Sequence, residues 1–225
     1  MTYTFLARTK LPQERVIYRP YQRGNGDFFD KLSLNKAQKQ EMRQQIGQLT
    51  VSHQIDTKTT NIPAGERVKS LLVLQAQLLT EDYNPQLLAE LDMRMGMYLI
   101  FVLTKPNGAE ELLIHYKEAL PQTKEGKHYK IVRRFQTSQN LEIHLEGATL
   151  DQVYDNLIKE VADDQLAVKA GTASQAIDLT KQIQKLEKQA AQAKKKMYTE
   201  KSMSKQMEWR KTYQDLQAKI AALNS

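Results

Sequence analysis

Four histidines and two carboxylate–lysine groupings are the residues whose types could do chemistry. The histidines, His53, His115, His128 and His144, all fall in segments that read as strands. His115 and His128 could meet across neighbouring strands and share a metal as neutral imidazoles, although a histidine satisfied within or on a sheet fits the same placement. Asp56-Thr57-Lys58, and Glu110-Glu111 with Lys117, have the residue types of a metal-dependent nuclease. Such an enzyme needs a carboxylate-x-lysine on a central strand, because hard Mg²⁺ is held by oxygen anions. The strand in that place reads "VLQAQL", which offers amides and no charge. The P-loop, G-x-G-x-x-G, H-E-x-x-H and G-x-S-x-G patterns are absent from the sequence. The expectation is therefore no catalytic residue, no bound metal and no cofactor, with a nuclease as the alternative.

The cations form a second set. Arg15, Arg19 and Arg23 alternate with Tyr18 and Tyr21 near the start, and Lys194, Lys195, Lys196, Arg210 and Lys211 lie near the end. Guanidinium groups beside aromatic rings can grip phosphates and stack on bases, and lysine runs neutralise phosphates. The same residues also suit a segment pinned by its aromatics and a solvated helix face.

The charge distribution separates these sets. Residues 1–45 carry nine Lys/Arg against four Asp/Glu, residues 176–225 eleven against five, and residues 46–175 thirteen against seventeen. A slightly acidic centre is flanked by two basic ends, within a net charge of +7. That asymmetry is the electrostatic footprint of a surface that meets phosphates or an acidic partner. At 225 residues, 40% hydrophobic and 26% charged, the chain suits a globular protein with one core and an appendage. No stretch approaches the roughly 20 apolar residues of a membrane span, and "MTYTFLARTK" has no signal-peptide apolar region. The cysteine count of zero excludes disulfides and thiolate metal sites. A cytoplasmic protein with no membrane partner is expected.

The elements that must position these residues follow from periodicity. "ARTKLPQERVIYRPYQRGNGDFF", with Pro12, Pro20, Gly24 and Gly26, reads as an irregular basic arm. Ser33 or Asn35 can cap a helix running to about Gln45. "LTVSHQI" alternates as a strand, and "VKSLLVLQAQLL" is apolar enough to lie centrally in a sheet. Asn84-Pro85 starts a helix that ends before Gly96. "MYLIFVL" and "ELLIHYK" form a hairpin around "TKPNGAE", followed by strands at "HYKIVRRF" and "LEIHL". Thr149 and Gln152 form a capping box ahead of an apolar stripe from Leu150 to Val161. Small and polar residues around Gly171–Ser174 then mark a hinge. These elements give an α+β fold, a mostly antiparallel sheet with helices packed on one face, in a core of residues 1–171.

Residues 172–225 form a basic coiled-coil tail. Leu179, Ile183, Leu186, Ala190, Ala193 and Met197 make one 4-3 seam, and Trp209, Tyr213, Leu216, Ile220 and Leu223 make another. The seams are two residues out of phase, which neither a three- nor a four-residue insertion explains. Two helices folding back near Tyr198–Ser204 account for the shift, with Ser202 or Ser204 as a cap. One long helix pairing with another chain is the alternative. In either arrangement Leu179, Ile183, Leu186, Trp209, Tyr213, Leu216, Ile220 and Leu223 are the partner-facing residues, because short isolated helices are marginal in water.

"IDTKTTNIPAGERVKSLLVLQAQL", then "LLAELDMRMGMYLIFVL", then a strand ending "IHYKEA", together resemble a bacterial family, the domain-of-unknown-function family forty-three ninety-one. Ile62-Pro63 fills the place of that family's "I-N-I-P" turn, and Leu99-Ile100-Phe101-Val102-Leu103 that of its "I-L-F-V-L" strand. Glu200, Met203, Lys205, Met207 and Glu208 stand where the family has "E-x-Q-F-x-x-K-V-E-L-N", with methionines in place of Phe and Val. The similarity covers roughly residues 28–225 and brings no catalytic residue. It implies a bacterial protein encoded beside DNA methyltransferases and helicases in restriction or antiphage clusters. The expectation is a non-enzymatic accessory subunit that docks on a helicase or methyltransferase and contacts nucleic acid through its basic ends. A structural dimer built by the tail is the further alternative.

Overall fold

The computed structural model describes residues 3–167 and 171–224, and residues 168–170 of the expected hinge lie outside them. The chain divides into two compact units, Met1–Ala162 and Asp163–Ser225.

The first unit is a six-stranded sheet in the order β1-β2-β3-β4-β5-β6. Its strands are β1 (Lys10–Tyr18), β2 (Ile46–Asp56), β3 (Ser70–Leu78), β4 (Tyr98–Thr104), β5 (Glu110–Lys124) and β6 (Lys127–Thr137). Neighbours are antiparallel except β3 and β4, which run parallel with Leu74 beside Phe101. A parallel pair needs a crossover, and α4 (Pro85–Arg94) supplies it. The expected apolar run is β3, with Leu71, Val73, Leu74 and Ala76 fully buried in the middle of the sheet. Glu125 and Gly126, both at positive φ, make the two-residue turn between β5 and β6.

Two expectations change. The basic arm is strand β1 from Lys10 to Tyr18, and it pairs with β2 through a register broken twice. An edge strand donates on one side only, so it tolerates Pro12 and irregular pairing that a central strand would not. "LEIHL" is not a strand: Glu142 makes one isolated bridge to Thr4. Only Thr4 pairs with it, so alternation alone builds no ladder.

Capping chemistry sets the helix starts. Asn35 caps α2 (Lys36–Gln45) in a full capping box with Gln38, and Asn84 accepts from the Gln86 N–H ahead of Pro85. Thr149 precedes α5 (Leu150–Ala162), but Gln152 reaches past it to accept from the Ala148 N–H at 2.8 Å. On one face, α1 (Asn25–Lys31), α2 and α4 bury Phe29, Met42, Leu88 and Leu91 against Leu49, Leu74, Phe101 and Leu113. Each such side chain contributes about 1.5–3 kcal/mol by leaving water. α5 packs on β5 and β6 through Tyr154, whose ring lies 4.8 Å from that of Tyr98.

The "I-P" segment explains how α5 is held. Asp151 accepts from the Glu66, Arg67 and Val68 N–H groups at 2.7–3.3 Å, and Pro63 O accepts from the Leu150 N–H. Just before this segment, α3 (Thr57–Thr60) is a single turn capped by Asp56. The loop must come close to the carboxylate, because a Cβ on Gly65 would fall 2.2 Å from it. Burial pushes the Asp151 carboxyl up, but these N–H groups and the Arg67 guanidinium outweigh it and hold the group below the usual carboxylate range.

The second unit is a helical hairpin of α6 (Ala173–Thr199) and α7 (Met203–Asn224). Thr172 and Gln175 form a full capping box at its start. The chain turns at Glu200–Ser202, where the Glu200 carboxylate accepts from the Lys201 and Ser202 N–H groups. The Ser202 carbonyl then accepts the first bond of α7, from the Gln206 N–H. Ile183, Ala190 and Ile220 are buried, with Leu179, Leu186, Tyr213, Leu216 and Leu223 packed around them. The two-residue phase shift is thus the turn between two antiparallel helices whose seams cover each other.

Candidate functional site

Two groupings of ionisable side chains in the first unit differ in what they can do. The first is a sealed cluster. Asp92, near the end of α4, accepts from His115 Nδ1 at 2.7 Å and from Lys117 Nζ. Lys117 also donates to Met97 O at 2.5 Å and lies over the ring of Tyr129. The side chains of Asp92, His115 and Lys117 are all 0% exposed. Burial pushes the Lys117 ammonium down from its ordinary value, and Asp92 opposes that by charge and hydrogen bond. The buried Tyr154 hydroxyl donates to His115 O, and burial raises its pKa well above the ordinary value. With Asp92 ionised, His115 Nδ1 donates, leaving Nε2 buried with no partner among the described residues. The cluster ties α4 and the turn after it to β5, and no substrate reaches its atoms.

The second place is open. A cleft of about 740 Å³ is lined by Gln54 of β2 and by Ser70 and Leu72 of β3. Leu11, Gln13, Arg15 and Ile17, alternate residues of β1, form one wall, and Phe28 and Lys31 of α1 extend it. Met95, Met97 and His128 close the opposite side. No Asp or Glu is among the lining residues. Period-two alternation explains this on β1, since Arg15 faces the cleft while Glu14 on the other side of the strand pairs with Lys10. Arg15 and Lys31 are exposed and make no ion pair among the described residues. Arg94 belongs to the frame: its Nη1 donates to Leu32 O, Ser33 O and Glu125 O, and its Nε to Glu90 at 3.0 Å. Met97 bridges the two places, its carbonyl on Lys117 and its side chain in the cleft, 44% exposed.

The residues singled out in the sequence fall as follows. Arg15 is in the cleft. Arg19 follows β1, where its Nε donates to Gln48, and Arg23 is exposed just before α1. Tyr18 is buried against Phe28 and Phe29, whereas Tyr21 is 85% exposed. In the hairpin, Lys194 lies 6.0 Å from the Tyr213 ring and Lys196 4.3 Å from Trp209, so both cations are engaged across the helices. Lys195, Arg210 and Lys211 are exposed. His115 and His128 are not brought together: His115 is on Asp92, and His128 lies beside Thr123 and Gly96. Asp56 is occupied as the α3 cap, Glu111 pairs with Lys105 at 2.5 Å, and Lys117 is sealed on Asp92. No group of three or more His, Asp or Glu suited to a metal occurs among the described residues. No helix there is long and apolar enough to cross a membrane.

Asp92 was missed in the sequence because its partners lie 23 and 25 residues away on another element. The only signal was an acid set between Leu91 and Met93 in a mostly apolar helical stretch, "LLAELDM". A family model described as "Domain of unknown function (DUF4391)" matches residues 25–220. No curated protein and no solved structure matches the chain.

Proposed function

The chain belongs to this family, whose description assigns no activity, and from its surface we propose a non-enzymatic nucleic-acid-binding accessory subunit of a bacterial DNA-modification or antiphage defence complex. The observation that carries the reading is the cleft, in which Arg15, Lys31 and His128 border a cavity with no carboxylate. A surface built this way attracts phosphate and repels none. Arg19 and Arg23 extend the positive charge beyond it, and Lys195, Arg210 and Lys211 give the hairpin its own exposed cations. In this reading the hairpin docks on a larger helicase or DNA methyltransferase subunit, while the sheet unit holds nucleic acid. Homo-oligomerisation through the hairpin is the competing role for the second unit.

The test is fluorescence anisotropy of the full chain with labelled DNA and RNA across salt concentrations. Affinity falls steeply with salt, and each charge-removing substitution at Arg15, Arg19 or Arg23 makes the slope shallower by about one unit. Affinity that is the same at low and physiological salt overturns the reading. Cleavage of plasmid with Mg²⁺ or Mn²⁺, lost on Asp56→Ala or Glu111→Ala, overturns its non-enzymatic part.

A further inference from the structure

We infer that the cleft seats one nucleotide of a single strand, with the base against the sheet and its phosphate at the rim; this rests on the nucleic-acid reading above. Three features of the cavity select that occupant. The first is shape. A recess of about 740 Å³ is within the range of about 300–1,000 Å³ typical of small-ligand sites. A duplex keeps its bases stacked and paired inside, so it presents only phosphates to such a recess, whereas an unstacked base can enter.

The second feature is the chemistry of the interior. Leu72, Phe28, Met95 and Met97 offer a soft apolar surface for a base face, and Met97 is 44% exposed with nothing on it. Beside them lie Gln13, Gln54 and Ser70, which can donate to and accept from a base edge. The Gln54 amide nitrogen already donates to Asp56 at 2.6 Å, which fixes its carbonyl oxygen as the free acceptor. An alkyl chain in the same place would cover these amide and hydroxyl groups without pairing them, at a cost of binding.

The third feature is the placement of charge. Arg15, Lys31 and His128 stand around the apolar interior, so a base can go in while its phosphate stays with them. Arg19 is four residues beyond Arg15, about 13 Å along the chain at a strand rise of about 3.3 Å per residue. A free nucleotide bound in the cleft leaves Arg19 and Arg23 unused, while the next phosphates of a strand run towards them. That continuation favours a strand over a mononucleotide.

The experiment uses the full chain with a labelled single strand, the same sequence annealed as a duplex, and AMP and ATP as competitors. The single strand binds more tightly than the duplex, and Met97→Glu weakens the single strand by about tenfold and the duplex by clearly less, since phosphate contact is opposed for both and base stacking is lost only by the strand. A 5-iodouracil strand crosslinked to the unmodified protein, digested and mapped by mass, places the crosslink on Phe28, Met97 or His128, which needs no variant to fold. Single strand and duplex binding equally, with crosslinks outside the cleft, overturns the inference and leaves the nucleic-acid reading in place. No binding of either form removes both. Displacement of the strand by AMP or ATP at concentrations comparable to the strand's own Kd overturns the choice of a strand, as does selective loss, in Met97→Glu, of binding to poly-glutamate or to anionic vesicles.

Discussion

Asp92, His115 and Lys117 on one side of Met97, and Arg15, Lys31 and His128 around the cleft on the other, each bring a basic side chain and a histidine together, with a carboxylate only in the first, and they do opposite work. In the first group every charge is 0% exposed and shares its partners with the others. In the second, Arg15 and Lys31 are exposed and carry no counter-charge. The difference lies in desolvation. Taking a charge out of water costs several kcal/mol, so a buried one persists only when its hydrogen bonds are supplied from within. An exposed cation keeps its water and stays free for an external anion. The sealed group should therefore report on stability and the open group on binding.

The largest effect expected is that of Asp92→Ala. It leaves Lys117 and His115 buried without their shared acceptor and should cost about 3–5 kcal/mol in chemical denaturation. Asp92→Leu combined with Lys117→Met should recover much of that, because an apolar pair removes the unmet charge. A loss under about 1 kcal/mol for Asp92→Ala would make the two groups alike and sink the comparison.

Next in size is the second unit, where apolar seams replace charge as the holding force. Ile220, 8% exposed beside Ile183, cannot accept a carboxylate without desolvating it. Ile220→Asp should open the hairpin, shift the fluorescence of Trp209 to the red, and leave the unfolding of the sheet unit where it was. A simultaneous loss of both transitions would show that the units Met1–Ala162 and Asp163–Ser225 do not melt independently.

Much of this was legible from local pattern. The capping residues Asn35 and Asn84, the turn between β4 and β5 and the apolar run of β3 each state their element within a dozen residues, and the out-of-phase seams state the hairpin over residues 179–223. What was not legible depends on partners distant in sequence. Strand β1 hides behind Pro12 and its arginines because an edge strand needs only one neighbour. Leu141–Leu145 alternates like a strand yet finds only Thr4 to pair with. The cleft draws its lining from β1, β2, β3, α1, β6 and the turn after α4, so no window of sequence contains it.

A smaller effect is expected at Asp151, which lies between the two extremes with its side chain 20% exposed. Its carboxyl is held below the ordinary value, so the folded state binds fewer protons than the unfolded one across the interval between the two pKa values. The stability it contributes is fully present above the unfolded pKa and is lost as pH falls through the folded one. Asp151→Asn should cost about 1–3 kcal/mol at neutral pH, and that difference should shrink on acidification. A difference that holds constant into the acid range would assign the loss to packing at Gly65 and not to the carboxylate.

The smallest stability effect, and the one that separates the two groups most sharply, is expected at the cleft rim. Arg15→Ala and Lys31→Ala remove side chains that hold nothing in place, so each should change stability by less than about 0.5 kcal/mol. The same substitutions should weaken nucleic-acid binding and make its salt slope shallower by about one unit each. Arg94→Ala is the control within the same cavity. Its guanidinium is 8% exposed and donates to three carbonyls and Glu90, so its removal should lower the melting temperature while the slope per remaining phosphate contact is kept. If Arg15→Ala destabilised the fold as much as Arg94→Ala, the rim cation would belong to the frame as well. The cleft would then be a by-product of packing, with no cation free to meet a phosphate.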